Sequence, residues 1–139
     1  MRLICLISLL VFATVGAWCV TEGGRRITSG PGIGVMYGGA GVNVEYHADD
    51  HMSFAGGVNP FESDFRWTLA GLYHPDADNN LRFSVGLTNA LEYLWGDDLR
   101  DTEPFLGLGW GPTAETNFRG WNFDLIFGDE RTISVGYSF

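Results

Sequence analysis

From Pro31 to Phe139, large apolar residues alternate with small or polar residues along the chain. Successive side chains of a β-strand point to opposite faces, so a period of two predicts strands rather than helices. Groups of Gly, Asn, Asp and Pro interrupt the alternation, for example HPDADNN at 74–80 and GDE at 128–130, and these predict turns. The alternating segments number eight or nine, depending on whether residues 81–95 form one long strand or two short ones.

Composition supports strands and excludes some partners. The 139 residues suggest a single domain, and 20 Gly together with 14% aromatic residues are typical of strands and turns. The net charge is -9, and all eight basic residues are Arg. A chain without a basic patch cannot neutralise phosphates, so we expect no nucleic-acid partner.

Residues 1–17 have the features of a cleaved signal peptide for export. Arg2 precedes an apolar run from Leu3 to Val15, and small residues follow up to Ala17. An uncleaved membrane helix is the alternative. The length of the run argues against it, because about 20 apolar residues are needed to span a bilayer. Residues 18–30 are polar and aperiodic and predict a leader before a folded domain at 31–139. Cys19 would then lack an intramolecular disulfide partner, and its lipidation is a second alternative.

The two faces of the predicted strands differ in size and charge. One face carries Val, Leu, Ile, Phe, Tyr and Trp, and we expect it to include Ile33, Val35 and Tyr37. The other carries Gly, Ala, Ser, Thr, Asn and isolated charges. A soluble barrel needs a densely charged outer face, whereas small residues fit the crowded interior of a narrow membrane barrel. We therefore expect the charges on the small face to point into the lumen and partly to pair there; they are Glu45, Arg66, Arg82, Glu92 and Asp124.

The expected fold is all-β, a closed antiparallel up-and-down transmembrane β-barrel of about eight strands. Eight or nine residues per strand, tilted by ~40°, span roughly 20–23 Å, close to the apolar band of an outer membrane. Aromatic residues on the bulky face could form girdles at the membrane surfaces; they are Trp67, Tyr73, Trp95, Trp110, Trp121 and Tyr137. A soluble sandwich, or a periplasmic barrel that binds a small apolar ligand, is the alternative.

The final residues, ISVGYSF at 133–139, resemble the C-terminal strand of bacterial outer-membrane β-barrel proteins, which typically ends in Phe. In size the chain is similar to the small eight-stranded members. The resemblance implies that the outer-membrane insertion machinery reads this strand, so we expect this machinery and outer-membrane lipid to be partners. We further expect a porin-like, non-enzymatic protein of the Gram-negative outer membrane, structural or interaction-mediating. With eight strands, its narrow lumen should be filled by side chains. The residues implied as the assembly signal are Ile133, Val135, Tyr137 and Phe139, and we expect a monomer.

The sequence predicts no catalytic, cofactor or metal site. HADDH at 47–51 could hold a divalent cation, but its spacing fits no specific template and Asp-Asp is common in turns. An enzyme that modifies lipid A is a further alternative, and it would need an outward Ser or His. The strand serines share the inward phase instead; they are Ser53, Ser84, Ser134 and Ser138. Short turns at 38–41 and 128–130 also argue against a receptor or adhesin role.

Overall fold

A computed structural model describes residues 26–60, 65–91, 102–129 and 131–139. Their strands form a closed barrel in which each strand is antiparallel to its neighbour and β8 returns to β1. The eight strands are β1 (Arg26–Gly34), β2 (Gly39–His47), β3 (Met52–Asn59), β4 (Arg66–Tyr73), β5 (Leu81–Thr88), β6 (Glu103–Trp110), β7 (Gly120–Phe127) and β8 (Arg131–Ser138). The expected all-β barrel is confirmed, with eight strands. β5 ends at Thr88, and residues 92–95 lie outside the described residues.

Alternation along each strand separates an inner from an outer face. In β4, Leu69 is 60% exposed while its neighbours Thr68 and Ala70 are buried. The same pattern recurs in β7, where exposed Phe123 and Leu125 flank buried Asp124. Most small or polar residues therefore lie inside the barrel and most large apolar ones outside. Leu72, Phe105 and Ile126 are large apolar strand residues that are buried inside. Within the described ranges, no helix is long and apolar enough to cross a membrane.

The first strand begins earlier than the sequence pattern indicates. β1 starts at Arg26 rather than Pro31, so residues 26–30 of the predicted leader belong to the barrel. Their polarity reflects the polar lumen, because buried Thr28 points inward and Thr28 Oγ1 lies 2.9 Å from His47 Nε2 on β2. A strand whose polar residues face a polar lumen therefore resembles a polar leader in composition, which is why the sequence pattern does not show where β1 begins.

The connection between β1 and β2 differs from the prediction. Val35 and Tyr37 do not continue the outward stripe of Ile33; with Met36 they form one 3₁₀ turn (Val35–Tyr37) that folds into the lumen, and all three are at most 3% exposed. The expectation that Val35 and Tyr37 lie on the bulky face is wrong. Glycines with positive φ bracket the turn: Gly34 at 109°, Gly38 at 64° and Gly39 at 109°. These backbone angles strain other residues, and they allow the chain to reverse twice. We call Val35–Tyr37 the plug.

Candidate functional site in the barrel lumen

The lumen has two halves. The terminal end is the end at which β1 begins and β8 finishes, and the plug end is the end at which β1 finishes and β8 begins. Inward residues near the terminal end are mostly polar or charged. Those near the plug end are mostly small or apolar, and they surround the plug. The two halves thus offer different chemistry inside one barrel.

Three charged side chains form an ionic layer across the terminal half. Arg82 of β5 binds Asp124 of β7 through two hydrogen bonds, Nε to Oδ1 at 2.9 Å and Nη2 to Oδ2 at 2.6 Å. Its Nη1 also lies 3.6 Å from Glu45 Oε2 of β2. The hydroxyl of Ser53 donates to Glu45 Oε1 at 2.5 Å. All four residues are buried. Buried charges have a large desolvation cost, and this paired geometry reduces it.

A second polar contact lies beside the ionic layer. His47 Nδ1 is 3.6 Å from Glu45 Oε1, and its Nε2 is 2.9 Å from Thr28 Oγ1. The ring of Phe118, from the β6–β7 connection, stacks on the imidazole with centroids 3.7 Å apart. Asn117 and Phe118 have φ of 54° and 56°, a left-handed conformation that turns the chain inward. Phe118 is 3% exposed and covers His47 at the terminal end.

Side chains of the barrel wall bind the backbone of the plug. Thr68 Oγ1 of β4 donates to the Val35 carbonyl at 2.5 Å, and Asn43 Nδ2 of β2 donates to the Met36 carbonyl at 2.6 Å. The Met36 N–H donates to Ser134 Oγ of β8 at 3.1 Å. Buried backbone groups are costly without partners, so these three side chains make an inward turn possible.

The wall around the plug is built from glycines. A Cβ atom on Gly57 would lie 2.2 Å from the Met36 carbonyl oxygen, and one on Gly32 would lie 2.5 Å from the Tyr37 ring. A Cβ on Gly136 would lie 2.1 Å from the Tyr37 hydroxyl. We call these three residues the glycine cradle. Space that side chains would fill in an ordinary eight-stranded barrel is occupied here by the plug.

Between the plug and the ionic layer there is almost no free space. The gap is too small for a water molecule, and its lining residues are Met36, Tyr37, Asn43, Glu45, Arg82, Asn122 and Ser138. The lumen is therefore filled at this level. Solutes cannot pass this level in the conformation described.

The outer face of the barrel is almost entirely apolar. Large apolar side chains are exposed on every strand except β2, whose outward Val42, Val44 and Tyr46 are half-buried. Among the described strand side chains, Arg131 at the start of β8 is the one exposed charge. Tyr137 packs edge-on against Trp121 at 5.5 Å and contacts Phe139 at 5.3 Å between ring centroids. This surface is the reverse of a soluble barrel, which buries its large apolar residues.

The remaining predicted site residues are the other lumen charges and the residues of the expected assembly signal on β8. Arg66, like the ionic layer, is buried inside, but it lies at the plug end of β4 and apart from that layer. Glu92 and Trp95 lie outside the described residues. Along β8, Ile133 is 54% exposed, and Val135 and Tyr137 are half-buried on the outer face. Phe139 follows β8 and is exposed.

Turns at the terminal end contain the remaining titratable candidates. In HADDH, Asp49 Oδ1 accepts hydrogen bonds from the backbone N–H groups of His51 at 2.8 Å and Met52 at 2.7 Å, and these lower the pKa of Asp49. His74 is buried, and burial together with the positive charge of Arg82 lowers its pKa. Among the described residues, no three His, Cys, Asp or Glu side chains converge to hold a metal.

The strand serines do not form an outward nucleophile. Ser53, Ser84, Ser134 and Ser138 are all buried in the lumen. Ser53 binds Glu45, Ser134 binds the plug, and Ser138 accepts from Asn122 Nδ2 at 2.7 Å. These positions fit structural roles in the interior.

Two features of the site were missed by sequence reasoning. The alternating pattern predicts that β1 continues through the plug. The inward glycines of four strands, β1, β2, β3 and β8, are the signal that something besides side chains fills the lumen. Phe118 lies in a connection without periodicity, so no pattern indicated that it turns inward.

Comparisons with protein-family models, curated proteins and solved structures found no match to this chain.

Proposed function

We propose that this protein is a β-barrel of the bacterial outer membrane, non-enzymatic, with a structural or interaction-mediating role. The observation that carries the proposal is the outer face, where exposed Leu, Val, Ile, Phe and Trp side chains surround a buried ionic layer. Lipid is the medium in which such a surface is favourable, and closure pairs the backbone groups that lipid cannot. The signal peptide expected at residues 1–17 would deliver the chain to the export pathway.

Substitution of an outer-face residue by arginine tests whether lipid or water surrounds the barrel. Val85 is 59% exposed and lies in the middle of β5. In a lipid-embedded barrel, Val85→Arg should cost about 2–4 kcal/mol and lower the amount of folded protein that resists a carbonate wash of the membrane fraction. In a soluble barrel the same change is an ordinary surface substitution, within about 0.5 kcal/mol.

Ala48→Arg is the matched control, because it adds the same charge in the exposed β2–β3 turn, outside the strands. We expect its membrane level to equal that of the wild type. Recovery of wild-type protein in the soluble periplasmic fraction, with Val85→Arg unchanged in stability, would contradict the proposal. That result would favour the alternative, a soluble periplasmic barrel for a small apolar ligand.

We further propose that the outer face of β8 serves as the assembly signal read by the insertion machinery. Tyr137→Asp places a charge among Trp121 and Phe139 and should reduce the folded fraction in the membrane. Tyr137→Phe keeps the aromatic contacts and should assemble normally. Equal membrane levels for both variants would refute the role of β8 in recognition. A mass change of lipid A on expression would instead support the enzymatic alternative.

A further inference from the structure

The plug is joined to the barrel by glycine at both ends. Gly34 precedes it, and Gly38 and Gly39 follow it, all with positive φ. Residues without a Cβ can change φ and ψ over a wide range at low cost, so these positions can act as hinges. The plug is therefore a short unit between two flexible points, unlike the strands around it.

Contacts of two kinds hold the plug in the lumen: its own side chains are buried in the apolar core, and side chains of the wall bind its backbone. Its backbone is bound by Thr68, Asn43 and Ser134, one hydrogen bond from each side chain. The cradle presents glycine to the plug, so the wall could keep its strand pairing if the plug left. Opening would break these contacts but none of the eight strand ladders, so it should cost less than global unfolding.

We infer that the plug is a movable stopper that swings out through the plug end and opens an internal compartment. The compartment would be lined by the glycine cradle and by Ala55 and Ala70. Its floor would be the ionic layer of Arg82, Glu45 and Asp124. Small solutes would then reach this layer from the plug end, although the closed barrel admits none at this level. The inference depends on the barrel and its lumen, and it holds whether lipid or water surrounds the outer face.

Cysteine modification measures the opening. In a chain with Cys5 and Cys19 replaced by Ser, the plug reporter is Met36→Cys, the compartment reporter is Ala70→Cys, and the reference is Ser84→Cys, an inward buried residue of β5. A water-soluble maleimide is added to purified barrel, and only protein in the folded, heat-modifiable gel band is scored. We expect the two reporters to react at least about tenfold faster than the reference, because local opening precedes unfolding.

Removal of one anchor should increase that rate. Ser134→Ala deletes the acceptor for the Met36 N–H and should accelerate Met36→Cys modification by about 2- to 12-fold, the effect of one net hydrogen bond. Ser84→Ala removes a buried serine hydroxyl elsewhere in the wall, and should leave the rate unchanged.

Three results would overturn the inference. Equal rates at Met36→Cys and Ser84→Cys would mean that the plug moves only when the barrel unfolds. Fast modification at Met36→Cys with slow modification at Ala70→Cys would mean that the plug moves without opening the compartment. If Ser134→Ala leaves the rate of Met36→Cys modification unchanged, the hydrogen bond from the plug to the wall does not keep the plug closed. Because folded protein is scored directly, none of these results bears on the location of the barrel in the cell.

Discussion

The two halves of the lumen are filled by different means. In the terminal half, long charged side chains cross from β2, β5 and β7 and meet in the ionic layer. In the plug half, the glycine cradle leaves room beside wall side chains such as Phe105 and Ile126, and the plug fills that room. An eight-stranded barrel leaves room for about one layer of side chains, and interiors are close-packed. Large wall residues and an inserted plug are thus alternative ways to reach the same density.

The difference predicts how each half responds to substitution. The ionic layer depends on charge balance, so it should be sensitive to loss of one partner and tolerant when the partners are replaced together. The plug half depends on free volume, so it should be sensitive to the addition of a single methyl group. The experiments below test these two sensitivities, beginning with the largest expected effect.

Arg82→Met should be the most destabilising of these changes. It leaves Glu45 and Asp124 buried without their shared cation, at a cost of about 3–5 kcal/mol in the free energy of unfolding. The triple variant Arg82→Met, Asp124→Leu and Glu45→Gln should recover much of that loss, because no buried carboxylate is then left without its cation. Urea unfolding followed by tryptophan fluorescence measures the stability of both variants. A triple variant as unstable as the sum of its single changes would show that the three residues are not coupled.

Gly57→Ala should destabilise the barrel by about 1–3 kcal/mol, because the new Cβ would lie 2.2 Å from the Met36 carbonyl oxygen. Gly71→Ala is the matched control on the next strand. Gly71 faces outward and a Cβ there meets no atom within 4 Å, so the change should be neutral or slightly stabilising. The ratio of folded to unfolded gel bands in a urea series compares them. Equal losses of stability in the two variants would mean that a methyl group in the glycine cradle does not disturb the packing of the plug.

The smallest expected effect is a pH dependence at the terminal end. Because burial and Arg82 lower the pKa of His74 in the folded barrel, the unfolded chain takes up this proton first as pH falls. Stability should therefore decrease as pH drops below about 6.5, and the decrease should end below the folded pKa. His74→Gln should flatten this part of the pH profile of unfolding. An unchanged profile would show that His74 is not the responsible group.

Alternation in the sequence predicted much of the barrel, because a strict period of two specifies which side chains share a face. It separated Arg82 from Phe83 and Asp124 from Phe123, and the structure places these neighbours on opposite faces. The pattern could not assign inside or outside by itself. The size of the residues on each face did that, since small residues predominate on the face that lines the narrow lumen, where Leu72, Phe105 and Ile126 are the large apolar exceptions.

What the sequence did not predict are the places where the chain leaves the sheet. Val35 and Tyr37 keep the alternating phase, but positive φ at Gly34 removes them from β1. The inward turn also depends on Thr68 and Ser134, which are 33 and 98 residues distant from their bonded partners in the plug. Contacts at such separation leave no local signature. Thr28 was missed for a related reason, since its partner His47 lies on the next strand.

The plug also bears on how the ring can close during folding. It contacts β1, β2, β3, β4 and β8, and so touches both sides of the seam between the first and last strands. Pairing across that seam must wait until the ends of a long chain meet, which is the slow step for topologies rich in distant contacts. A plug bound to the β1–β2 hairpin from the start would give β8 a docking partner at Ser134 before the last ladder forms. The plug, which fills the lumen of the folded barrel, would then also act earlier, by holding β8 beside β1 while the barrel closes.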